Sequence, residues 1–144
     1  MVIPNPLLGT WRLKSYVATT PAGERLTPYG ENPRGYLSYA ADGRMQVIGA
    51  ASRRILPAAS TAPDSDRAAL HDTMFAYAGT YSLGVGKVTH HVDISWNELW
   101  TGTDQVRLFE VQGNTLTLTT RIRDAEGATE THYALVWERI CSAG

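Results

Sequence analysis

Short runs of alternating apolar and polar residues, about 8–12 residues apart and separated by glycine or Asp-Gly turns, fill most of this 144-residue chain. A period of two sends successive side chains to opposite faces of a strand, so each run has one face to bury. The pattern predicts eight or nine strands. In the first, Trp11, Leu13, Ser15 and Val17 share a face, with Arg12, Lys14 and Tyr16 on the other. Asp42-Gly43 joins two β-rich runs, 35–39 and 45–48, as a tight hairpin. Further runs occupy 79–83, 87–95, 104–111, 115–122 and 129–140. A meander this long must dispose of its edges, and closure removes them. The expected fold is therefore all-β, a closed antiparallel up-and-down barrel spanning residues 1–144 as a single domain.

One stretch breaks the rhythm. Residues 50–63 are rich in Ala, Ser and Pro and contain Arg53-Arg54, the composition of a long loop serving as a lid or binding loop. A helix is expected over 64–78, capped by Asp64 or Ser65 and ended by Gly79, lying near the barrel mouth. Its stripe runs through Arg67, Leu70, Met74 and Tyr77 or Ala78, with Leu70 and Met74 expected to turn inward.

Composition narrows the function classes. Thirteen basic against fourteen acidic residues give a formal net charge of −1, so there is no basic footprint for nucleic acid. No apolar run approaches the roughly 20 residues of a membrane helix. The N-terminal residues lack a signal-peptide pattern and Cys141 is the sole cysteine, which together place the expected site of action in the cytoplasm.

Gly9-Thr10-Trp11 opens the first long strand and Trp137-Glu138-Arg139 ends the last. Between them, in order, stand Tyr29-Gly30-Glu31-Asn32-Pro33-Arg34-Gly35-Tyr36-Leu37, Asp42-Gly43-Arg44-Met45, Tyr77-Ala78-Gly79-Thr80-Tyr81 and residues 102–110. These segments resemble the lipocalin-like domain proteins, small bacterial and fungal members of the calycin group. The resemblance implies that Arg139 stacks over Trp11 to close the barrel bottom, a contact that suits a planar, weakly hydrated guanidinium. It also implies a small-molecule cavity. Some ten-stranded relatives carry haem on a barrel histidine, for which His90, His91 and His132 are the residues to consider.

In the run 87–96, His90 shares a face with Val88, Val92 and Ile94, whereas His91 shares one with Thr89, Asp93 and Ser95. The apolar companions favour His90 inside; the opposite choice would bring in the His91–Asp93 pair. Arg107 shares a face with Gln105, Phe109 and Val111, so it either lies in the cavity or snorkels outward. Arg121 belongs to a threonine row expected to face solvent. Tyr36, Tyr39, Tyr77, Tyr81, Trp96, Trp100, Phe109 and Tyr133 are the candidate ligand-binding rings, with Trp96 and Trp100 placed to guard an opening. Neither a cysteine pair nor a His-x-x-x-His spacing is present, so no metal and no cofactor is expected.

Two functions follow. The first is binding of a small, largely apolar molecule, aromatic or polyketide-like. The second is a cofactor-free cyclase, isomerase or dehydratase acting on such a molecule, with His90 and Arg107 as catalytic groups. A barrel packed solid would instead be an interaction module. Ligand identity and oligomeric state lie beyond this reading.

Overall fold

The computed structural model describes residues 4–58, 62–123, 126–127 and 129–141. Its strands are β1 (Gly9–Thr19), β2 (Arg25–Leu26), β3 (Arg34–Tyr39), β4 (Arg44–Ala50), β5 (Met74–Gly84), β6 (Lys87–Ser95), β7 (Asp104–Gln112), β8 (Thr115–Arg123) and β9 (Glu130–Cys141). They form one antiparallel sheet in the order β2-β1-β3-β4-β5-β6-β7-β8-β9. Pairing of β1 with β9, from Thr10↔Cys141 to Thr19↔His132, closes eight of them into a barrel. The two-residue β2 rides on the end of β1. No helix is long and apolar enough to cross a membrane.

One end of the barrel is sealed. Trp11 and Leu7 are both 0% exposed, and the Arg139 guanidinium lies 4.2 Å from the Trp11 ring centroid. Arg139 also donates to the carbonyls of Pro6, at 2.8 Å, and Leu8, while the Trp11 indole donates to Leu7 O at 2.9 Å. The stack implied by the sequence is thus part of a clamp that holds the leading segment across the barrel bottom. Asn5 belongs to the same end, donating to the Tyr81 hydroxyl, which in turn donates to Ala40 O.

Two β-bulges reset which side chains face inward. A register shift between Leu13 and Ser15 turns the second half of β1 over, so Tyr16 lines the interior and Ala18 is buried, where strict alternation put Ser15 and Val17. On β6 the partners jump from Gly79↔Val92 to Ala78↔Ile94, leaving Asp93 extra. Val88, His90 and Val92 are buried, whereas Ile94, expected beside them, is 65% exposed. Gly79 faces this bulge at close quarters: a Cβ there would sit 1.8 Å from the carbonyl oxygen of His91.

The helix is shorter than its pattern suggested. α1 (Asp64–Asp72) begins after Pro63 without a side-chain cap and ends at Thr73, whose hydroxyl and N–H both bond Ala69 O. Residues 74–78 belong to β5, paired with β4 from Ala50↔Met74 to Gln46↔Ala78. The segment satisfies a period of two as well as a helical stripe, and pairing along a full strand decides it. Consequently Phe75 and Tyr77 face the interior and Met74 does not, and no residue of α1 is buried.

Candidate functional site

Above the sealed end the barrel encloses a cavity of about 300 Å³. All eight barrel strands contribute to its wall, and the lining is mostly aromatic. Leu118, Leu135 and Trp137 form its apolar side; Tyr16, Tyr29, Phe75, Tyr77, Trp96, Trp100 and Tyr133 supply rings. These rings touch in a continuous chain: Tyr133–Tyr16–Tyr29–Phe75–Trp96–Trp100–Tyr77, with centroids 5.0–6.5 Å apart. Such spacing is that of favourable tilted and edge contacts.

The structure sorts the candidate residues. Tyr77, Trp96, Trp100 and Tyr133 lie on the cavity, as do His90 and Arg107. Tyr39 is buried beneath it, bonded to His90, and Tyr81 packs edge-on against Tyr39 at the sealed end. Phe109 packs against the core away from the cavity wall. Tyr36 is 50% exposed on the outer face, beside a shallow groove shared with Ile48 and Ile94, because β3 turns Leu37 and Tyr39 inward instead. Four lining rings escaped the sequence reading, Trp137 entering it only as part of the closing Trp137-Glu138-Arg139 segment. Tyr16 is hidden by the β1 bulge, Phe75 by the helical reading of its segment, and Tyr29 by lying in the turn before β3. A clue to Phe75 exists in Gly49, its cross-strand partner, where a Cβ would meet the phenyl ring at 2.4 Å.

At the polar side of the wall His90, 1% exposed, stands between two hydroxyls. Tyr39 Oη lies 2.6 Å from its Nε2 and Tyr77 Oη 2.6 Å from its Nδ1. Burial, reinforced by the charge of Arg107, lowers the His90 pKa to about 3, so the ring is neutral near pH 7. Burial also pushes the Tyr77 hydroxyl up to about 12 despite the adjacent Arg107 guanidinium, and Tyr39 well above the usual tyrosine range. Arg107 sits half-buried with its guanidinium 5.9 Å from the Trp100 ring centroid and donates to Val106 O. Among the described residues it forms no ion pair. The Trp137 indole N–H, buried in the same wall, likewise has no hydrogen-bond partner there.

The other histidines stay outside. His91 pairs with Asp104 at 2.8 Å, and Asp93 is held by Arg44 at 2.8 Å, so the alternative His91–Asp93 pair does not form. His132 is exposed, and Arg121 faces solvent near Glu130. Among the described residues, no three His, Cys, Asp or Glu side chains converge as a metal site. Both nitrogens of His90 are engaged by tyrosines, which leaves neither free for an axial bond to haem.

The mouth is framed by Trp96, just before a short 3₁₀ turn (Glu98–Trp100), by Trp100, the last residue of that turn, and by α1. The Trp96 indole donates to His71 O, and Arg54 reaches Leu70 O, so the helix is fastened to the rim at two points.

Comparison with curated proteins and with solved structures finds no match. A family model described as lipocalin-like domain matches residues 8–140, nearly the whole barrel from the Trp11 strand to the Arg139 strand. With its closed eight-stranded barrel, its Trp11–Arg139 seal and this match, the chain belongs to the lipocalin-like domain family.

Proposed function

We propose that the barrel binds a small, largely apolar molecule, aromatic or polyketide-like, in the cavity beneath Trp96 and Trp100. The observation that carries this reading is a cavity of about 300 Å³ walled by eight aromatic side chains, with the Arg107 guanidinium among them. Pockets of this make-up, mostly apolar with a few placed polar groups, are the usual form of small-molecule sites. Three tryptophans on the wall, Trp96, Trp100 and Trp137, give a direct readout. Titration with 2-methylnaphthalene should quench their fluorescence in the wild type, and Leu135→Trp, which fills the cavity from β9, should abolish the saturable quenching. Unchanged quenching in the filled variant would move the site elsewhere.

A second reading, a cofactor-free cyclase, isomerase or dehydratase, is favoured by the Tyr39–His90–Tyr77 chain, which joins a buried hydroxyl to the cavity wall through a neutral imidazole. Such a chain can relay a proton toward a bound molecule without a cofactor. Its test is the rate at which 2-tetralone exchanges its α-protons with deuterated water. Acceleration by the wild type, lost in Tyr77→Phe, would support chemistry; a rate equal to that of buffer would leave binding alone.

A further inference from the structure

We propose that Tyr77 and Arg107 together form a two-donor site for an anionic oxygen of the ligand, a carboxylate or a phenolate, and that buried Tyr39 sets the direction in which Tyr77 donates. This rests on the cavity being the binding site and adds the chemical class of what enters it. The argument is an account of protons. A neutral imidazole has one N–H and one bare nitrogen, so of the two tyrosines touching His90 one donates and the other accepts. Among the described residues Tyr39 Oη has one hydrogen-bond partner, His90 Nε2, and the ring is 1% exposed and off the cavity wall. If Tyr39 accepted, its own proton would be buried without an acceptor, an arrangement that costs the desolvation of that group. Tyr39 therefore donates to Nε2, and the remaining proton sits on Nδ1. Nδ1–H then donates to Tyr77 Oη, 2.6 Å away.

That direction leaves the Tyr77 proton uncommitted, and Tyr77 is the member of the chain on the cavity wall. Arg107 stands beside the same hydroxyl, on the same wall, with no carboxylate of the described chain to neutralise it. The wall also carries the hydroxyls of Tyr16, Tyr29, Thr120 and Tyr133, which can turn either way, but Arg107, the cation among the lining residues, beside the uncommitted Tyr77 O–H favours an acceptor that carries charge. Rings complete the selectivity: the ligand is an aromatic acid or acidic phenol rather than a neutral hydrocarbon. Tyr39 is a positioning residue in this scheme, acting only through His90.

Two measurements test it. In the ¹⁵N-labelled wild type, long-range imidazole correlation spectra should show His90 protonated on Nδ1; an Nε2–H tautomer overturns the inference. Titration with 2-naphthoate and with 2-methylnaphthalene, matched in shape, reads the site. The wild type should prefer naphthoate by about tenfold or more, as a charged hydrogen-bond pair supplies. Tyr77→Phe and Arg107→Gln should each remove about tenfold from naphthoate and leave methylnaphthalene within about twofold. Tyr39→Phe removes the donor that fixes the tautomer, which releases Nε2 to carry the proton and bares Nδ1 to accept from Tyr77, so its naphthoate affinity should fall toward that of Tyr77→Phe although Tyr39 touches no ligand. Equal affinity for both probes overturns this inference and leaves the cavity reading standing. Failure of both probes to bind the wild type overturns the cavity reading and the inference with it.

Discussion

At the scale of single residues, one guanidinium ties the barrel's last strand to the segment that crosses its sealed end. Arg139 holds an indole and two backbone carbonyls at once, which is more than the ring contact its sequence position suggested. Arg139→Ala should therefore cost about 1–2 kcal/mol, read as a lower urea midpoint with an unchanged slope. An unshifted midpoint would mean that the clamp contributes nothing. Gly79 is a stricter case, because a methyl group there collides with backbone rather than with a side chain that can rotate. Gly79→Ala should cost about 3 kcal/mol by forcing the β5–β6 bulge apart, and a near-neutral urea midpoint would show that the bulge yields easily. The sequence displays Gly79 only as an end to a helix. Its real role follows from the extra Asp93 on the neighbouring strand, which no local pattern announces.

At the scale of elements, eight strands and the Asp42-Gly43 turn could be read from alternation and turn chemistry, and the boundary between helix and strand could not. Residues 74–78 carry apolar side chains at spacings that suit either, and only the facing strand β4 decides between them. The same loss of local information hides the bulge in β1, after which Tyr16 replaces Ser15 and Val17 on the inside. What remains of the helix buries no residue and is tied to the rim by side-chain bonds from Arg54 and Trp96 to its carbonyls. Segments with little buried apolar surface open at lower free energy than ladder-bonded strands. Amide exchange in α1 and in the preceding loop should thus be faster than in β4, β5 and β6 by about 100-fold or more. Arg54→Ala should accelerate it further in α1 alone. Equal protection of α1 and the strands would show that the helix unfolds only with the barrel and cannot act as a moving cover for the cavity.

At the scale of the whole molecule, a closed barrel has an inside that alternation identifies as apolar, so the one buried histidine becomes a term in its global stability. His90 was placed inside by its neighbours Val88 and Val92, and the sequence had no means of showing the two hydroxyls that hold it, which come from β3 and β5. Its folded-state pKa of about 3 lies below the ordinary histidine value, chiefly because burial opposes the charged form. Between those two values the unfolded chain binds a proton that the folded barrel does not. Stability from this group is therefore complete above about pH 6.5 and is lost as pH falls toward 3, by about 5 kcal/mol in all. Other groups titrate over the same range, so the contribution of His90 is isolated by comparison with His90→Gln, which keeps a polar side chain but cannot take up the charge. Urea midpoints of the wild type should fall more steeply from about pH 6.5 to about pH 4 than those of the variant, the gap widening with acidity. Parallel profiles would place the His90 pKa near its ordinary value. Where the variant folds poorly, the imidazole carbon-bound proton shifts of wild-type His90 give the same answer. They should stay flat down to about pH 4, since titration of the folded ring begins only near the acid limit of the barrel itself.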